Sequence, residues 1–280
     1  MKLEHILERL ELGEDAIYSY DFSNTDQENE MRLRQSVAAG MPRNYLHEIA
    51  KHHSIPVMDK EIERFLENVR HGGIIIDVGG GWGWHWRRLK DIRPDIVVLI
   101  IDFARKNLIN AKMVLKSHVN KSVYLVHGDA TALVFDDNAF DGYWSVQTLQ
   151  HIPDFSKAIR EAYRVLKPGG IFANYSLNSQ FLIRLVYGIF GKAYHIHGEV
   201  PGSFYLSRAS GEQISNVSEV FSSDVNVRYS EIFFKPELGL TSPGREQSFV
   251  GRIDRMLSSG GRIFSWVARQ QSFHVAKPVR

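Results

Sequence analysis

Three isoleucines, Ile74-Ile75-Ile76, run directly into Asp77-Val78-Gly79-Gly80-Gly81-Trp82-Gly83, and no other stretch limits the fold of this chain so tightly. The apolar run reads as a strand buried on both faces. Glycines at such density belong where the backbone turns sharply and a ligand approaches it. With a helix following, the turn offers backbone N–H groups to a nucleotide-like ligand. The dinucleotide fingerprint G-x-G-x-x-G fails, because its last position holds Trp84 when counted from Gly79 and Trp86 when counted from Gly81. A phosphate loop is excluded, since no Gly-Lys-Ser/Thr follows.

Around this turn the pattern alternates. Short apolar runs at 74–76, 96–101, 122–126, 142–146 and 170–176 read as buried parallel strands, with amphipathic segments such as Ala158, Ile159, Ala162, Tyr163 and Leu166 between them. Residues 225–234 and 262–269 flank a helical segment at 246–257 and complete a doubly wound, mainly parallel, seven-stranded α/β sheet with a Rossmann-like order. Lys167-Pro168-Gly169-Gly170 stops the helix before it. Residues 1–70 read as an amphipathic helical cap without strands, its clearest face being Ile62, Phe65, Leu66 and Val69. Residues 71–280 form the α/β domain. Within it, an insertion at about 177–221, before the sixth strand, carries a helix at 181–190 and a capping-box start at Ser210 and Gln213, and such long excursions often form lids.

The 280 residues, 44% hydrophobic and 24% charged, suit a packed globular protein. A net charge of +2, from 34 basic and 32 acidic residues, supplies no field for nucleic acid or a membrane, so neither is expected as a partner and a small molecule is. The absence of cysteine excludes disulfides, thiolate zinc sites and cysteine nucleophiles. Acidic residues interrupt the N-terminal apolar positions, so no secretory signal is expected. The stretch 181–190, which contains Arg184, is too short to span a bilayer, and a cytoplasmic protein is expected.

The glycine turn resembles motif I of class I S-adenosylmethionine-dependent methyltransferases, D/E-x-G-x-G-x-G, through Asp77, Gly79, Gly81 and Gly83. Asp102 stands where that family accepts from the ribose hydroxyls. Val126-His127-Gly128-Asp129-Ala130 resembles the motif whose aspartate accepts from the adenine amino group while the next residue offers its amide. The strand-4 motif is matched from Phe140 to Gln147 and on through His151, and Arg164-Val165-Leu166-Lys167-Pro168-Gly169-Gly170 resembles the strand-5 entry of the methyltransferase type 11 branch, which acts on small metabolites. The resemblance covers about residues 74–176. It implies S-adenosylmethionine as cofactor, S-adenosylhomocysteine as product, and a cofactor site of Asp77, Gly79, Gly80, Gly81, Asp102, Phe103, Asp129, Ala130, Val146 and Gln147. It further implies a methyltransferase acting on O or N of a small metabolite, sugar-containing or antibiotic-like compounds included. Val146-Gln147-Thr148 lacks the Asn/Asp-Pro-Pro-Tyr/Phe turn used on bases and glutamine. The alternative is an inactive S-adenosylmethionine-binding partner or sensor.

Each residue also has a plainer reading. Asp102 suits a helix start, and Asp129 suits a turn cap. Trp82, Trp84, His85 and Trp86 are either packing or an aromatic face for a cation. His151 is the one catalytic candidate, a base near neutral pH, set against a shielding role. His195 and His197, with Tyr194, Glu199 and Tyr205, fit a polar substrate-facing loop better than a metal pair, so no metal is expected, and Arg184 reads as a surface arginine.

Overall fold

In the computed structural model, which describes residues 3–22, 44–200, 204–258 and 261–279, the run at Ile74 lies in the middle of a nine-stranded sheet. Helix α1 (Leu3–Leu7) precedes a hairpin of β1 (Glu11–Leu12) and β2 (Tyr18–Ser19), and α2 (Tyr45–His52) and α3 (Ile55–Glu67) precede β3 (Ile74–Val78). Then follow α4 (Leu89–Ile92), β4 (Val97–Asp102), α5 (Arg105–Leu115), β5 (Val123–His127), β6 (Phe140–Val146), α6 (Phe155–Val165) and β7 (Leu166–Leu177). After α7 (Phe181–Ile189) come a separate hairpin, β8 (His197–Glu199) with β9 (Tyr205–Ser207), then α8 (Gly211–Phe221), β10 (Asn226–Ser230), α9 (Phe249–Leu257) and β11 (Gln270–Ala276).

The sheet order is β1-β2-β5-β4-β3-β6-β7-β11-β10. Strands from β2 to β7 pair in parallel, while β11 runs antiparallel to both β7 and β10. Period-2 alternation divides the core between two faces. Ile76, Leu99, Tyr143 and Phe172 pack under α6 and α8, and Ile75, Val98, Trp144 and Tyr175 pack under α3 and α5. The direction of winding reverses between β3 and β6, and a crevice therefore opens at the C-terminal ends of these two strands, where sheets of this kind bind ligands.

Four expectations change. The N-terminal segment is not wholly helical: β1 and β2 pair with each other, and β2 extends the sheet alongside β5, so nine strands replace seven. Two-residue strands are too short to show a period, and the part of the helical reading on 23–43 lies outside the described residues. Residues 262–264 form a 3-10 turn with Ile263 exposed, and the last strand begins at Gln270. Its polar start, Gln270-Gln271-Ser272, is buried between β7 and β10, and this polarity hid it. Helix α8, expected within the lid, belongs to the body, because Val217 and Phe221 lie in the core. Lys167-Pro168-Gly169-Gly170 is taken up inside β7 as an irregularity rather than ending before it. No helix among the described residues is long and apolar enough to cross a membrane.

Candidate functional site

The glycine turn stands at the switch point, held from several sides. Gly79 has φ 70°, and its N–H donates to the Ile101 carbonyl at 2.7 Å. A Cβ there would collide with the Thr148 side chain, whose hydroxyl donates to the Gly79 carbonyl at 3.2 Å, so the turn and the end of β6 are fitted to each other only through glycine. A Cβ on Gly80 would strike the Asp77 carboxylate beneath it. Asp77 itself is buried, and its Oδ2 accepts from Trp86 Nε1 at 2.6 Å. Burial, with a smaller contribution from Asp102, pushes its pKa up to about 7 against the pull of the Trp86 bond.

Asp102, at the end of β4, ties two loops together. Its Oδ2 accepts from Gly81 N–H at 3.0 Å, its Oδ1 accepts from Ala104 N–H at 2.8 Å, and the Asn107 amide donates to both oxygens at 3.3 Å. Both of its readings therefore meet in one place, as it shapes the glycine turn and the start of α5 alike. Asp129 uses one oxygen only: Oδ1 accepts from the Thr131 N–H at 2.8 Å and the Thr131 hydroxyl at 3.0 Å. Among the described residues nothing donates to its Oδ2, and the Ala130 N–H has no acceptor. The loop is fixed from the far side by Tyr20, whose hydroxyl donates to the Asp129 carbonyl at 3.0 Å and accepts from the Asp129 N–H at 2.9 Å. Burial raises the Tyr20 pKa, which keeps that hydroxyl protonated. Gln147 adopts φ 51°, a left-handed conformation uncommon outside glycine, and its buried Nε2 has no partner among the described residues.

These pieces line a single cavity of about 780 Å³. Of the cofactor residues expected from the sequence, all but Asp77 lie on its wall, and Asp77 supports the turn from below. The wall also contains residues that sequence reasoning missed: Glu48, Ile49, His52 and His53 of α2 and its C-cap, and Thr148. Only the amphipathic pattern of α2 hinted at a buried side there, and nothing local showed what that side would face. The α2–α3 junction is pinned by the Ser54 N–H, which donates to buried Glu231 at 2.7 Å, and Glu231 pairs with Arg269 at 2.8 Å.

Trp82, Trp84 and His85 form the facing wall. His85 stacks on Trp84 with ring centroids 4.1 Å apart and lies 6.4 Å from the His53 ring. Neither His85 nitrogen, nor His53 Nδ1, has a partner among the described residues. Burial lowers the His85 pKa to about 3, and burial with the neighbouring His85 lowers that of His53, so both rings are neutral. Trp86, by contrast, is a core residue.

His151 lies on the cavity wall, but both ring nitrogens are engaged. Nδ1 donates to the Tyr205 carbonyl at 2.8 Å, which leaves Nε2 to accept from the Gln150 amide at 3.1 Å, and Gln150 is oriented by the Leu177 N–H on its Oε1 at 2.7 Å. Such a ring holds β9 against the rim of the cavity and has no lone pair to take a substrate proton. His195 Nε2 donates to the Gly198 carbonyl of its own hairpin at 3.0 Å, and His197 Nδ1 meets Ser207 Oγ at 3.0 Å, and neither lines the cavity.

Residues 76–174 match the family described as "Methyltransferase domain". This stretch of the chain is similar to a methyltransferase domain. Over 125 residues it is 34% identical to malonyl-acyl-carrier-protein O-methyltransferase of Buchnera aphidicola, an alignment covering 43% of this chain and 47% of that one. Over 109 residues it is 36% identical to demethylmenaquinone methyltransferase of Listeria welshimeri, covering 39% and 46%. The matched stretch thus spans about half the length of these curated relatives. In three dimensions the chain is similar to phosphoethanolamine N-methyltransferase 2 of Haemonchus contortus in complex with S-adenosyl-L-methionine, with a TM-score of 0.52 at 18% identity over 78% of this chain and 52% of that one. The shared fold is the doubly wound sheet, and what it does in this chain is argued from the cavity.

Proposed function

We propose that this chain binds S-adenosylmethionine in the cavity and transfers its methyl group to an oxygen or nitrogen of a small metabolite. One observation carries the reading: at Asp129 and Ala130 one acceptor, Oδ2, and one adjacent donor, the Ala130 N–H, are unclaimed among the described residues. An adenine edge offers the complementary donor and acceptor side by side. The cavity volume of about 780 Å³ lies within the range of sites for ligands of this size. The cradle is a fitted one, since the positions of Gly79 and Gly80 admit no side chain. In this reading Asp102 and Phe103 hold the ribose end, Asp129 and Ala130 the adenine, and Gly79, Gly80, Gly81, Val146 and Gln147 the amino-acid end, with Asp77 acting through the turn it supports.

When bound, the cofactor supplies an electrophilic methyl carbon on a sulfonium, open to in-line displacement by an acceptor lone pair. The chain's share is to place that lone pair. Trp82 and Trp84 give flat apolar walls, and beside them stand the neutral rings of His85 and His53, whose buried nitrogens have no partner among the described residues and are suited to orient a hydroxyl or amine that reaches them. An imidazole with a pKa of about 3 is too weak a base to remove a proton at neutral pH, so His85 acts by orientation. His151 positions the rim. An acceptor that reacts as a neutral amine or an acidic hydroxyl suits such a site.

Titration calorimetry of the full chain with S-adenosylmethionine tests the cofactor, and the absence of heat ends the proposal. Release of labelled methyl onto a panel of hydroxylated and amine metabolites tests transfer. Binding without transfer to any of them would favour the inactive binding protein instead.

A further inference from the structure

The exposed apolar side chains of this protein are concentrated. Helix α7 turns Phe181 (61% exposed), Leu182, Leu185 and Ile189 (72%) outward and buries only Ile183. At 100° per residue those four fall within an arc of about 100°. Helix α9 repeats the arrangement: Phe249, Ile253, Met256 (79%) and Leu257 face out, while Gly251 and Asp254 are buried. A surface helix of a globular domain turns its apolar stripe to the core, and these two turn it to solvent. Ile263 and Trp266, also exposed, extend the set.

The two helices grow from one corner of the sheet. Leu177, Gln270 and Ser230 stand abreast in the register of β7, β11 and β10, so the segments 178–196 and 231–269 both start at this level, on the edge where the cavity opens. Residues 242–244 continue the platform towards the cavity, for Gly244 lies against the carbonyls of Ala50 and His53.

Charge selects the occupant. Arg184, Lys192, Arg245, Arg252 and Arg262 are exposed around the stripes and pair with no carboxylate among the described residues. The carboxylates of the same region are engaged elsewhere: Glu231 and Glu237 with Arg269, Glu246 with Arg87, and Asp254 with the N–H groups of Ile232, Phe233 and Phe234. We propose that this face docks on an anionic lipid bilayer surface, the apolar stripes entering the headgroup–acyl boundary and the five cations meeting lipid phosphates. The net charge of +2 conceals this local excess. A second copy of the chain fits poorly, since two such faces would oppose cation to cation. The proposal is independent of methyl transfer.

Sedimentation of the full chain with vesicles of phosphatidylcholine alone, and of phosphatidylcholine with phosphatidylglycerol, is the test. Binding to the anionic vesicles is expected to be on the order of tenfold tighter and to weaken with salt. The Leu185→Glu, Ile189→Glu double variant is expected to lose on the order of tenfold in binding while melting like the parent by circular dichroism. Met256→Ser, on the other helix, gives a smaller loss and serves if the double variant misfolds. Equal binding to both vesicle types, no binding to either, or binding that these variants leave unchanged overturns the proposal. So does a dimer in sedimentation velocity without lipid that the double variant dissolves, which assigns the face to a second copy.

Discussion

Two side chains decide how the cavity is read. Among the described residues nothing claims Asp129 Oδ2 while Thr131 holds the other oxygen, so removing the carboxylate takes away the proposed ligand acceptor and leaves the Tyr20 bonds to its backbone in place. Asp129→Ala is therefore expected to weaken S-adenosylmethionine by about 1–3 kcal/mol, roughly 5- to 150-fold in the calorimetric Kd, with little change in fold. In the proposed site His85 meets the other ligand. His85→Gln is expected to raise the KM for the acceptor and leave the cofactor Kd unchanged. The same variant has a pH signature. The folded imidazole has a pKa of about 3 against an ordinary 6.5, so between these values the unfolded chain takes up a proton that the folded chain refuses. Its contribution to stability is complete above pH 6.5 and is lost as the pH falls towards 3. From pH 7 to pH 5 the parent should lose about 2 kcal/mol more than His85→Gln, read from denaturant melts at the two pH values. Asp77 runs the other way. Its raised pKa stabilises the fold at low pH and its contribution is lost as the pH rises towards 7, which is why the comparison is made against the single variant.

At the level of elements, the hairpin β1–β2 does more than lengthen the sheet. Tyr20, just beyond β2, clasps the backbone of Asp129 from behind the cavity, and Gly128 is a glycine because a Cβ would enter the Tyr20 ring. Tyr20→Phe keeps the ring and loses both bonds, so the cofactor Kd should rise about 3- to 10-fold through a loosened loop, with the acceptor KM unaffected. The central strands were legible in the chain because they are long apolar runs buried on both faces, and the ends of β3, β4, β5 and β6 could be placed from the motif residues that follow each of them. The hairpin was not legible, since two residues per strand carry no period. Strand β11 lies at 270–276, wholly beyond the 262–269 read from the sequence, because its polar side chains are buried between two neighbours.

For the molecule as a whole, the part of the cavity proposed for the cofactor could be read from local sequence, because each of its residues follows directly from a strand end. The part proposed for the acceptor could not. Glu48, Ile49, His52 and His53 reach the cavity through the packing of α2 on residues 242–244 and the buried Ser54–Glu231–Arg269 link, contacts between segments far apart in the chain. Binding should register globally: at S-adenosylmethionine a hundred times its Kd, linkage adds about 2.7 kcal/mol, visible as a rise in Tm that NAD does not produce.

The two-residue strand β1 has a meaning for solubility too. A sheet edge is a template on which another chain can add a strand, and this sheet ends on that side in only two residues, Glu11 and Leu12. Without the hairpin, the border would retreat to β5, five residues long and largely apolar, with its outer row of N–H and C=O groups open to a neighbour. A chain shortened by its first twenty residues should therefore scatter light as growing assemblies where the parent stays clear: the segment that steadies Asp129 also keeps separate molecules from knitting together.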